Sequence, residues 1–252
     1  MALKLEEHKD DILQRFTAKE SCSSIAADYE VNLQCVTNLV KKYTGLTNLR
    51  PSQGNTRYFQ NIDTAAKAYL LGFIAADGCI QNFTKTSIGL SITIHIKDRC
   101  VLDFLKSEVG NEHELQLVRA GAHIRYTLTN KDLVSDLENL GIGQRKSLTL
   151  GNFIENVPKH LRGYAILGYF DGDGSISVVS KSKQYVQIRC TEDVALAIVN
   201  ELGVDSYHLS KCDSIPNLVI GAKRNVAKFA ALYEGCPIFL PRKKAKFDLV
   251  IY

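Results

Sequence analysis

The sequence lacks the segments that would place it in or across a membrane. No apolar run approaches the roughly 20 residues that span a bilayer. The opening stretch MALKLEEHKDD has neither the basic start nor the apolar centre of a signal peptide. With 45% hydrophobic residues over 252 positions, the chain can bury a large core in one domain or two. These features predict an intracellular protein, in the cytoplasm or an organelle matrix, with no membrane partner.

Paired cysteines and a strong charge of one sign are also missing. The cysteines number seven and no two form a Cys-x-x-Cys pair, so neither a disulfide framework nor a zinc site is expected. We expect free thiols that are mostly buried. The 31 basic and 27 acidic residues leave a net charge of only +4, which does not by itself indicate a nucleic-acid partner.

The first 50 residues have the apolar spacing of short helices. The stretch SSIAADYEVNLQCVTNLVKKY has this spacing on both sides of a break near Glu30 to Leu33, and HKDDILQRFTAKES precedes it. Residues 1–48 resemble a helix-turn-helix DNA-binding unit with a second helix from about Leu33 to Tyr43. A small helical cap that binds nothing is the alternative. In the DNA-binding arrangement, the residues able to face a groove or phosphates are Asn32, Gln34, Thr37, Asn38 and Lys41.

A polar stretch, residues 49–57, precedes a duplicated unit. Its glycine, proline and small polar residues predict a linker. Two similar stretches follow, YLLGFIAADGCI and ILGYFDGDGSIS, and the aspartates Asp77 and Asp173 in them are 96 positions apart (173 minus 77). The two units are predicted to span residues 58–150 and 151–252.

Each unit continues from its apolar stretch into segments that alternate between apolar and polar residues. SIGLSITIHI and YVQIRC place apolar side chains at every second position, as in a strand with one buried face. Helical segments such as RCVLDFLKSEVG and VALAIVNELGV follow. The order predicts an α+β fold of two halves, each an antiparallel sheet with helices on one side.

Small residues in the two apolar stretches predict a close pair of helices. Gly72 and Ala76 are four positions apart, as are Gly168 and Gly172, so each pair lies on one helix face. Small side chains there allow two backbones to approach closely. The glycine that follows each aspartate is expected to end its helix as a left-handed cap.

The helix pair would bring Asp77 and Asp173 together at the negative ends of two helix dipoles. Both the dipoles and the neighbouring carboxylate disfavour ionisation, so a compensating cation is needed. Mg²⁺ prefers oxygen ligands and completes its shell with water and phosphate oxygens. The sequence therefore predicts a Mg²⁺ site, which Mn²⁺ or Ca²⁺ can also occupy, that acts on a phosphodiester.

The segments LLGFIAADG and ILGYFDGDG resemble the two signature segments of the LAGLIDADG homing endonucleases, in their single-chain, two-repeat form. The resemblance covers roughly Tyr58 to Tyr252. It implies two pseudo-symmetric halves with saddle-shaped antiparallel sheets around a central helix pair. It also implies that Asp77 and Asp173 bind the metal with the backbone carbonyls of Ala76 and Gly172. Ala75 stands where the family often has Asp, so its counterpart Asp171 is expected to be dispensable.

The family also has a basic residue near the scissile phosphates late in each repeat. The matching residues are Lys146 in LGIGQRKSLTL and Lys243 in IFLPRKKAKFDL, where a lysine stabilises developing charge or organises the attacking water. Each is alternatively a surface lysine without a catalytic role. His95 and Gln187 are weaker candidates for organising water.

In the family the sheets lie along the major groove, where polar side chains read base edges and basic ones neutralise phosphates. The matching residues of the first half are Gln81, Lys85, Ser91, Thr93, His95, Arg119, His123, Arg125 and Thr127. Those of the second half are Ser177, Lys181, Lys183, Gln187, Arg189 and Asn217.

The resemblance implies a monomeric, site-specific endonuclease of double-stranded DNA that leaves a staggered cut with short 3′ extensions. The N-terminal unit would lengthen the recognised site by tethering a second DNA-binding module. Two alternatives stay open. A non-catalytic DNA-binding regulator would be expected to lose one or both aspartates, whereas an RNA maturase that assists intron splicing can keep them.

Overall fold

The computed structural model describes residues 5–18, 20–46, 53–180, 183–210 and 214–251. The chain divides into two compact units, Met1–Pro51 and Ser52–Tyr252, and each has a hydrophobic core of its own. Within the described ranges, no helix has both the length and the apolar character that a membrane crossing requires.

The N-terminal unit is helical, as predicted. Its helices are α1 (Lys9–Thr17), α2 (Cys22–Asp28) and α3 (Leu33–Thr44). The turn before α3 is fixed locally, because the Asn32 side chain accepts a hydrogen bond of 2.8 Å from the Gln34 backbone N–H. Gly45, at φ 69°, ends the helix in the left-handed conformation. The helices enclose a small core that includes Ile12, Ile25 and Val36.

The second unit begins with a half that contains one antiparallel sheet. Its elements are α4 (Ala65–Asp77), β1 (Gly78–Thr84), β2 (Ser87–His95), α5 (Arg99–Val109), β3 (Gln116–Val118), β4 (His123–Leu128) and α6 (Lys131–Asn139). The strand order is β1-β2-β4-β3.

The following half repeats this arrangement. Its elements are α7 (Arg162–Asp173), β5 (Gly174–Ser180), β6 (Lys183–Arg189), α8 (Glu192–Leu202), β7 (His208–Ser210), β8 (Asn217–Ile220), α9 (Lys223–Ala231) and α10 (Pro241–Ile251). The strand order β5-β6-β8-β7 matches that of the first half. The predicted α+β fold of two similar halves is confirmed.

Helices α4 and α7 pack on each other at their glycines. A Cβ atom added to Gly72 would lie 1.9 Å from the Ala165 carbonyl oxygen, and one added to Gly168 would lie 1.9 Å from that of Tyr69. Real Cβ atoms do not come this close to another atom, so the two backbones touch where side chains would otherwise stand. The apolar residues of both helices join the sheets in one continuous core.

The glycines after the aspartates do not have the expected conformation. Gly78 (φ −74°, ψ 147°) and Gly174 (φ −98°, ψ 163°) are extended, so the prediction of left-handed caps is wrong. Each helix passes directly into a strand. Glycine is needed there for space, because an added Cβ would lie 2.5 Å from the carbonyl oxygen of Ile74 or Phe170 respectively.

Two further expectations need correction. The predicted linker, residues 49–57, is too long: the Asn55 N–H donates to the Val109 carbonyl at 2.6 Å, so its described part, residues 53–57, packs on the second unit. Residues 49–52 lie outside the described residues. Cysteines in the described ranges are free thiols, but they are not mostly buried, since Cys79 and Cys100 are exposed. Cys212 also lies outside the described residues.

Candidate metal and nucleic-acid site

Asp77 and Asp173 are the last residues of α4 and α7, and the helix pair brings them together. A Cβ added to Gly172 would lie 2.3 Å from the Ala76 Cβ and 3.2 Å from Asp77 Oδ2. The carboxylate of Asp77 therefore lies beside the last turn of α7. This turn ends at Asp173.

Both carboxyl groups have raised pKa values. Burial, followed by the charge of Asp173, raises the pKa of Asp77 to about 6, while Lys243 and Lys146 oppose the shift. Burial also raises the pKa of Asp173, and Lys146, Lys243 and Arg189 oppose it. Asp173 is the more exposed of the two side chains. Burial therefore disfavours the ionised form of both carboxyl groups, and the two lysines favour it.

Lys146 lies next to this pair on a short 3₁₀ turn, Lys146–Leu148. Its side chain is buried, and Nζ donates a hydrogen bond of 2.9 Å to the Ala76 carbonyl oxygen. Burial lowers its pKa, and the charges of Asp173 and Asp77 act in the opposite direction. The ammonium group therefore contacts a carbonyl that is itself a predicted metal ligand, one residue before Asp77.

Lys243 lies in the first turn of α10 and is also buried. Its Nζ donates to the carbonyl oxygens of Phe170 at 2.8 Å, Asp171 at 2.6 Å and Gly174 at 2.6 Å. Burial lowers its pKa to about 8. It contacts the end of α7 through carbonyls other than that of Gly172.

Asp171, which was expected to be dispensable, is a buried residue with several hydrogen-bond partners. Its Oδ2 accepts hydrogen bonds from the Tyr69 hydroxyl and the Leu240 N–H, both at 2.8 Å, and its Oδ1 accepts one from the Tyr233 hydroxyl at 3.3 Å. The residue is 1% exposed, and burial raises its pKa to about 6. Asp171 therefore anchors three chain segments beneath the site. A carboxylate within an apolar helix was the only sequence signal for this role.

The ligand set at the aspartate pair suits a hard cation. Among the described residues, no group of three or more histidines, cysteines and acids could hold a metal, so two carboxylates would need carbonyl oxygens and water to complete a shell. The Ala76 carbonyl has two lone pairs and uses one for Lys146. These all-oxygen donors fit Mg²⁺ or Ca²⁺ and do not form a zinc site.

In the first half, most predicted DNA contacts share one face of the sheet. The register places Ser91 opposite Thr127, Thr93 opposite Arg125 and His95 opposite His123, with Gln81 on the same face of β1. The His95 and His123 rings are 5.5 Å apart, and Arg125 Nε donates to Thr93 Oγ1 at 3.1 Å.

Three first-half residues depart from the expected positions. Ser91 lies on this face but is buried rather than open, where Cys79 of β1 and Thr127 of β4 flank it. Arg119, at φ 51°, lies in the turn between β3 and β4, with Nη1 3.4 Å from His123 Nε2. Lys85 lies in the turn between β1 and β2. The last two stand at sheet ends rather than on strands.

The second half has a matching outward face, on which polar side chains are accompanied by Val219, the other neighbour of Gln187. The register places Ser177 opposite Tyr185, Gln187 opposite Ser175 and Arg189 opposite Asn217. The sequence pattern had indicated that Tyr185 points outward but did not select it, and Ser175 was missed. Lys181 lies outside the described residues, and only the backbone of Lys183 is described.

Similarity to known proteins is found among solved structures and concerns the fold. No family model and no curated protein matches the sequence. Among solved structures, the LAGLIDADG homing endonuclease I-LtrWI bound to target DNA is 10% identical, with a TM-score of 0.51 over 77% of this chain and 90% of that one. The LAGLIDADG meganuclease I-AabMI bound to uncleaved DNA is 14% identical, with a TM-score of 0.52 over 71% and 87%.

The chain has the LAGLIDADG homing endonuclease fold. The resemblance read from the two signature segments is therefore confirmed at the level of the fold. A third structure, the LAGLIDADG homing endonuclease I-GzeII in complex with its DNA target, is 12% identical, with a TM-score of 0.50 over 72% of this chain and 87% of that one.

In the N-terminal unit, the residues predicted to contact DNA lie along α3. Gln34, Asn38 and Lys41 are exposed and Thr37 is half-buried. Gln34 Nε2 donates to Asn38 Oδ1 at 2.7 Å. Asn32 is exposed, but its side-chain oxygen already caps the helix.

Proposed function

We propose that this protein is a site-specific endonuclease of double-stranded DNA that acts as an intracellular monomer. The observation that carries the proposal is the pairing of Asp77 with Asp173 at the touching ends of α4 and α7, between two sheets with polar faces. One chain supplies both carboxylates, so no second copy is needed. The DNA-bound structures I-LtrWI and I-AabMI, which have this fold, support DNA as the partner.

A divalent cation, Mg²⁺ with Mn²⁺ or Ca²⁺ as substitutes, would be held by Asp77 and Asp173 with the carbonyls of Ala76 and Gly172. Such a cation supplies an activated water and stabilises the leaving oxygen of a phosphodiester. The protein contributes the two carboxylates, and Asp77, whose pKa is raised to about 6, is ionised at higher pH. It also contributes the Lys146 ammonium beside Ala76.

The two polar sheet faces would read the major groove on either side of the cut. Donors and acceptors such as Gln81 and Gln187 suit base edges, whereas Arg125 and Arg189 suit guanine or phosphate. Two such faces joined at one cleavage centre favour a long target. By resemblance, the cut is staggered and leaves 3′ extensions.

The helical N-terminal unit would extend this target. Its α3 presents the exposed Gln34, Asn38 and Lys41, which is the composition of a groove-facing helix. Because the unit is tethered to the nuclease halves, even weak binding would add affinity and site length.

The nuclease proposal is tested by incubating the full chain with Mg²⁺ and a randomised duplex library and sequencing the cut molecules. Asp77→Asn and Asp173→Asn are expected to lower cleavage by about a thousandfold or more, while DNA binding measured in Ca²⁺ persists. Asp103→Asn, an exposed acid paired with Arg99, is the matched control and should cut normally. A wild type that binds a duplex without ever cutting one would indicate a regulator, and preferential binding of structured RNA a maturase; either result rejects the proposal.

The role of the N-terminal unit is tested in the full chain by Asn38→Ala with Lys41→Ala. We expect weaker binding, a shorter protected site and a salt dependence reduced by about one unit of slope. Lys42→Ala is the control, because its ammonium is already paired with Glu6 at 2.6 Å. If the double variant bound DNA with the same affinity and protected the same length of site as the Lys42→Ala control, DNA binding by α3 would be contradicted.

A further inference from the structure

Lys146 and Lys243 have matching places in the two repeats but very different surroundings. Both side chains are buried, at 8% and 4% exposure. Lys243 donates to three carbonyl oxygens. Lys146 donates to one, that of Ala76, among the residues that the structure describes. The two lysines therefore differ in the number of donors they have left.

Lys243 has no donor left for DNA. An ammonium group has three N–H donors and no acceptor. The three carbonyls it binds belong to the last turn of α7 and to Gly174, which follows that helix. Helix ends leave carbonyls without intrahelical partners, and a cation there is favourable. Lys243 thus completes the end of the helix that carries Asp173.

The residues on either side of Lys243 in the sequence also make contacts that fix the start of α10. Arg242 donates from Nε and Nη2 to the two carboxylate oxygens of Asp98, at 2.7 and 2.8 Å, and Asp98 belongs to the first half. The Leu240 N–H donates to Asp171 Oδ2 at 2.8 Å. A bidentate pair of this kind fixes orientation as well as distance. The first turn of α10 is therefore tied to the end of α7 and to the opposite half.

Within the part of the chain that the structure describes, Lys146 has no equivalent support. It lies on a short 3₁₀ turn that follows Arg145, a residue in the left-handed conformation at φ 55°. Its ammonium has one acceptor in the described ranges and is attracted by the charges of Asp173 and Asp77. Two of its donors are thus available to a phosphate oxygen brought to the aspartate pair.

We propose that Lys146 is the catalytic lysine, which donates to the scissile phosphate, and that Lys243 is a positioning residue that fixes the end of α7 and thereby Asp173. The proposal rests on the proposed nuclease function. In each cut a water oxygen bonds to phosphorus, one P–O ester bond breaks, and the leaving oxygen ends with a proton from water. Of the two scissile phosphates, one on each DNA strand, only one contacts a lysine side chain. The strand beside Lys146 is therefore cut first, and a nicked duplex accumulates.

The first measurement needs no DNA and no metal. Thermal unfolding is compared for Lys146→Met, Lys243→Met and the control Lys246→Met, an exposed lysine of α10 that lies 3.4 Å from the Ile176 carbonyl. We expect Lys243→Met to lower the melting temperature by about 5 °C, and the other two to change it by about 2 °C at most. Lys243→Gln keeps two donors and should fall between, so it serves if Lys243→Met does not fold.

The second measurement follows both strands of a plasmid that carries a duplex selected by the wild type. We expect Lys146→Met to slow the first cut by about a hundredfold. The slower cut of the opposite strand should keep its rate. Variants at Lys243 should slow both cuts by one common factor and weaken Ca²⁺ binding.

The proposal is overturned if the variants at Lys146 and Lys243 each abolish the cut of a different strand at unchanged melting temperature. If the wild type cuts no duplex, the nuclease function fails, whereas the melting temperatures still decide whether Lys243 supports α7. The failures of the two proposals are therefore distinguishable.

Discussion

The two halves of the second unit agree at their shared interface and differ in the contacts that support it. Both have the same strand order, the same direct passage from helix to strand, and a glycine whose missing side chain admits the other helix. The second half adds Asp171, which binds two tyrosines and Leu240, where the first half has Ala75. Its lysine is also held by three carbonyls rather than one.

This difference indicates where a duplicated fold is free to diverge. At the helix crossing the backbones of α4 and α7 are in contact, so a substitution in one half affects the packing of both halves. Around Asp171 and Lys243 the contacts lie mostly within the second half and the C-terminal helix. The same strand order and helix crossing are therefore maintained by unequal surroundings.

The largest expected effect comes from filling the helix crossing. Gly72→Ala and Gly168→Ala each place a methyl group 1.9 Å from a backbone oxygen of the other helix, so the helices must separate and the core loosens. We expect each to cost about 3 kcal/mol or more of unfolding free energy, to a similar extent in both halves. Urea unfolding measures this.

Gly143→Ala is the matched control for these two variants. No atom lies within 4 Å of a Cβ added at Gly143, so the change should be near neutral. If Gly72→Ala or Gly168→Ala were as stable as Gly143→Ala, the close approach of α4 and α7 would be wrong.

A smaller effect is expected at the position where the halves differ. Asp171→Ala leaves the donors of Tyr69, Tyr233 and Leu240 without their acceptor in a buried site and should cost about 3 kcal/mol. Asp171→Asn keeps the shape and one acceptor, and it removes a carboxylate whose pKa burial raises to about 6. We expect it to cost about 1 kcal/mol.

The converse substitution sharpens the comparison. Ala75→Asp places a carboxylate in the matching position of the first half, which is 2% exposed. We expect it to be strongly destabilising, because placing a charge in a buried apolar position is costly. Chemical unfolding of the three variants ranks their free energies of unfolding. An Asp171→Ala protein as stable as the wild type would show that the hydrogen bonds of Asp171 contribute nothing to stability.

Much of this architecture was predictable because its signals are local. Alternation in SIGLSITIHI and YVQIRC indicated the strands, and small residues four positions apart indicated the helix pair. The supports of the site were not predictable in this way. Arg242 meets Asp98 across 144 positions, and Lys243 meets Asp171 across 72, so no spacing within one element indicates either contact. The extended Gly78 was missed because glycine after a helix more often forms a left-handed cap.

The smallest expected effect compares the two aspartates through pH. The pKa of Asp77 is raised from its ordinary value of 3.8 to about 6, so its ionised form destabilises the folded state fully above about pH 6 and not at all below about pH 4. Asp77→Asn should therefore stabilise the metal-free protein by about 1 kcal/mol near pH 8 and leave it unchanged near pH 4.

Asp173→Asn should gain less than Asp77→Asn, because its side chain is more exposed. Both variants should lose the stabilisation that Ca²⁺ gives the wild type near pH 8, since the ion requires ionised carboxylates. Calorimetric unfolding with a chelator measures the stability of the metal-free protein, and unfolding with Ca²⁺ measures the added stabilisation. Asp103→Asn is the control for both. A Ca²⁺ effect on the wild type that did not decline as the pH fell through about 6 would mean that the cation binds away from Asp77, and that the pairing of the two helix ends serves the fold alone.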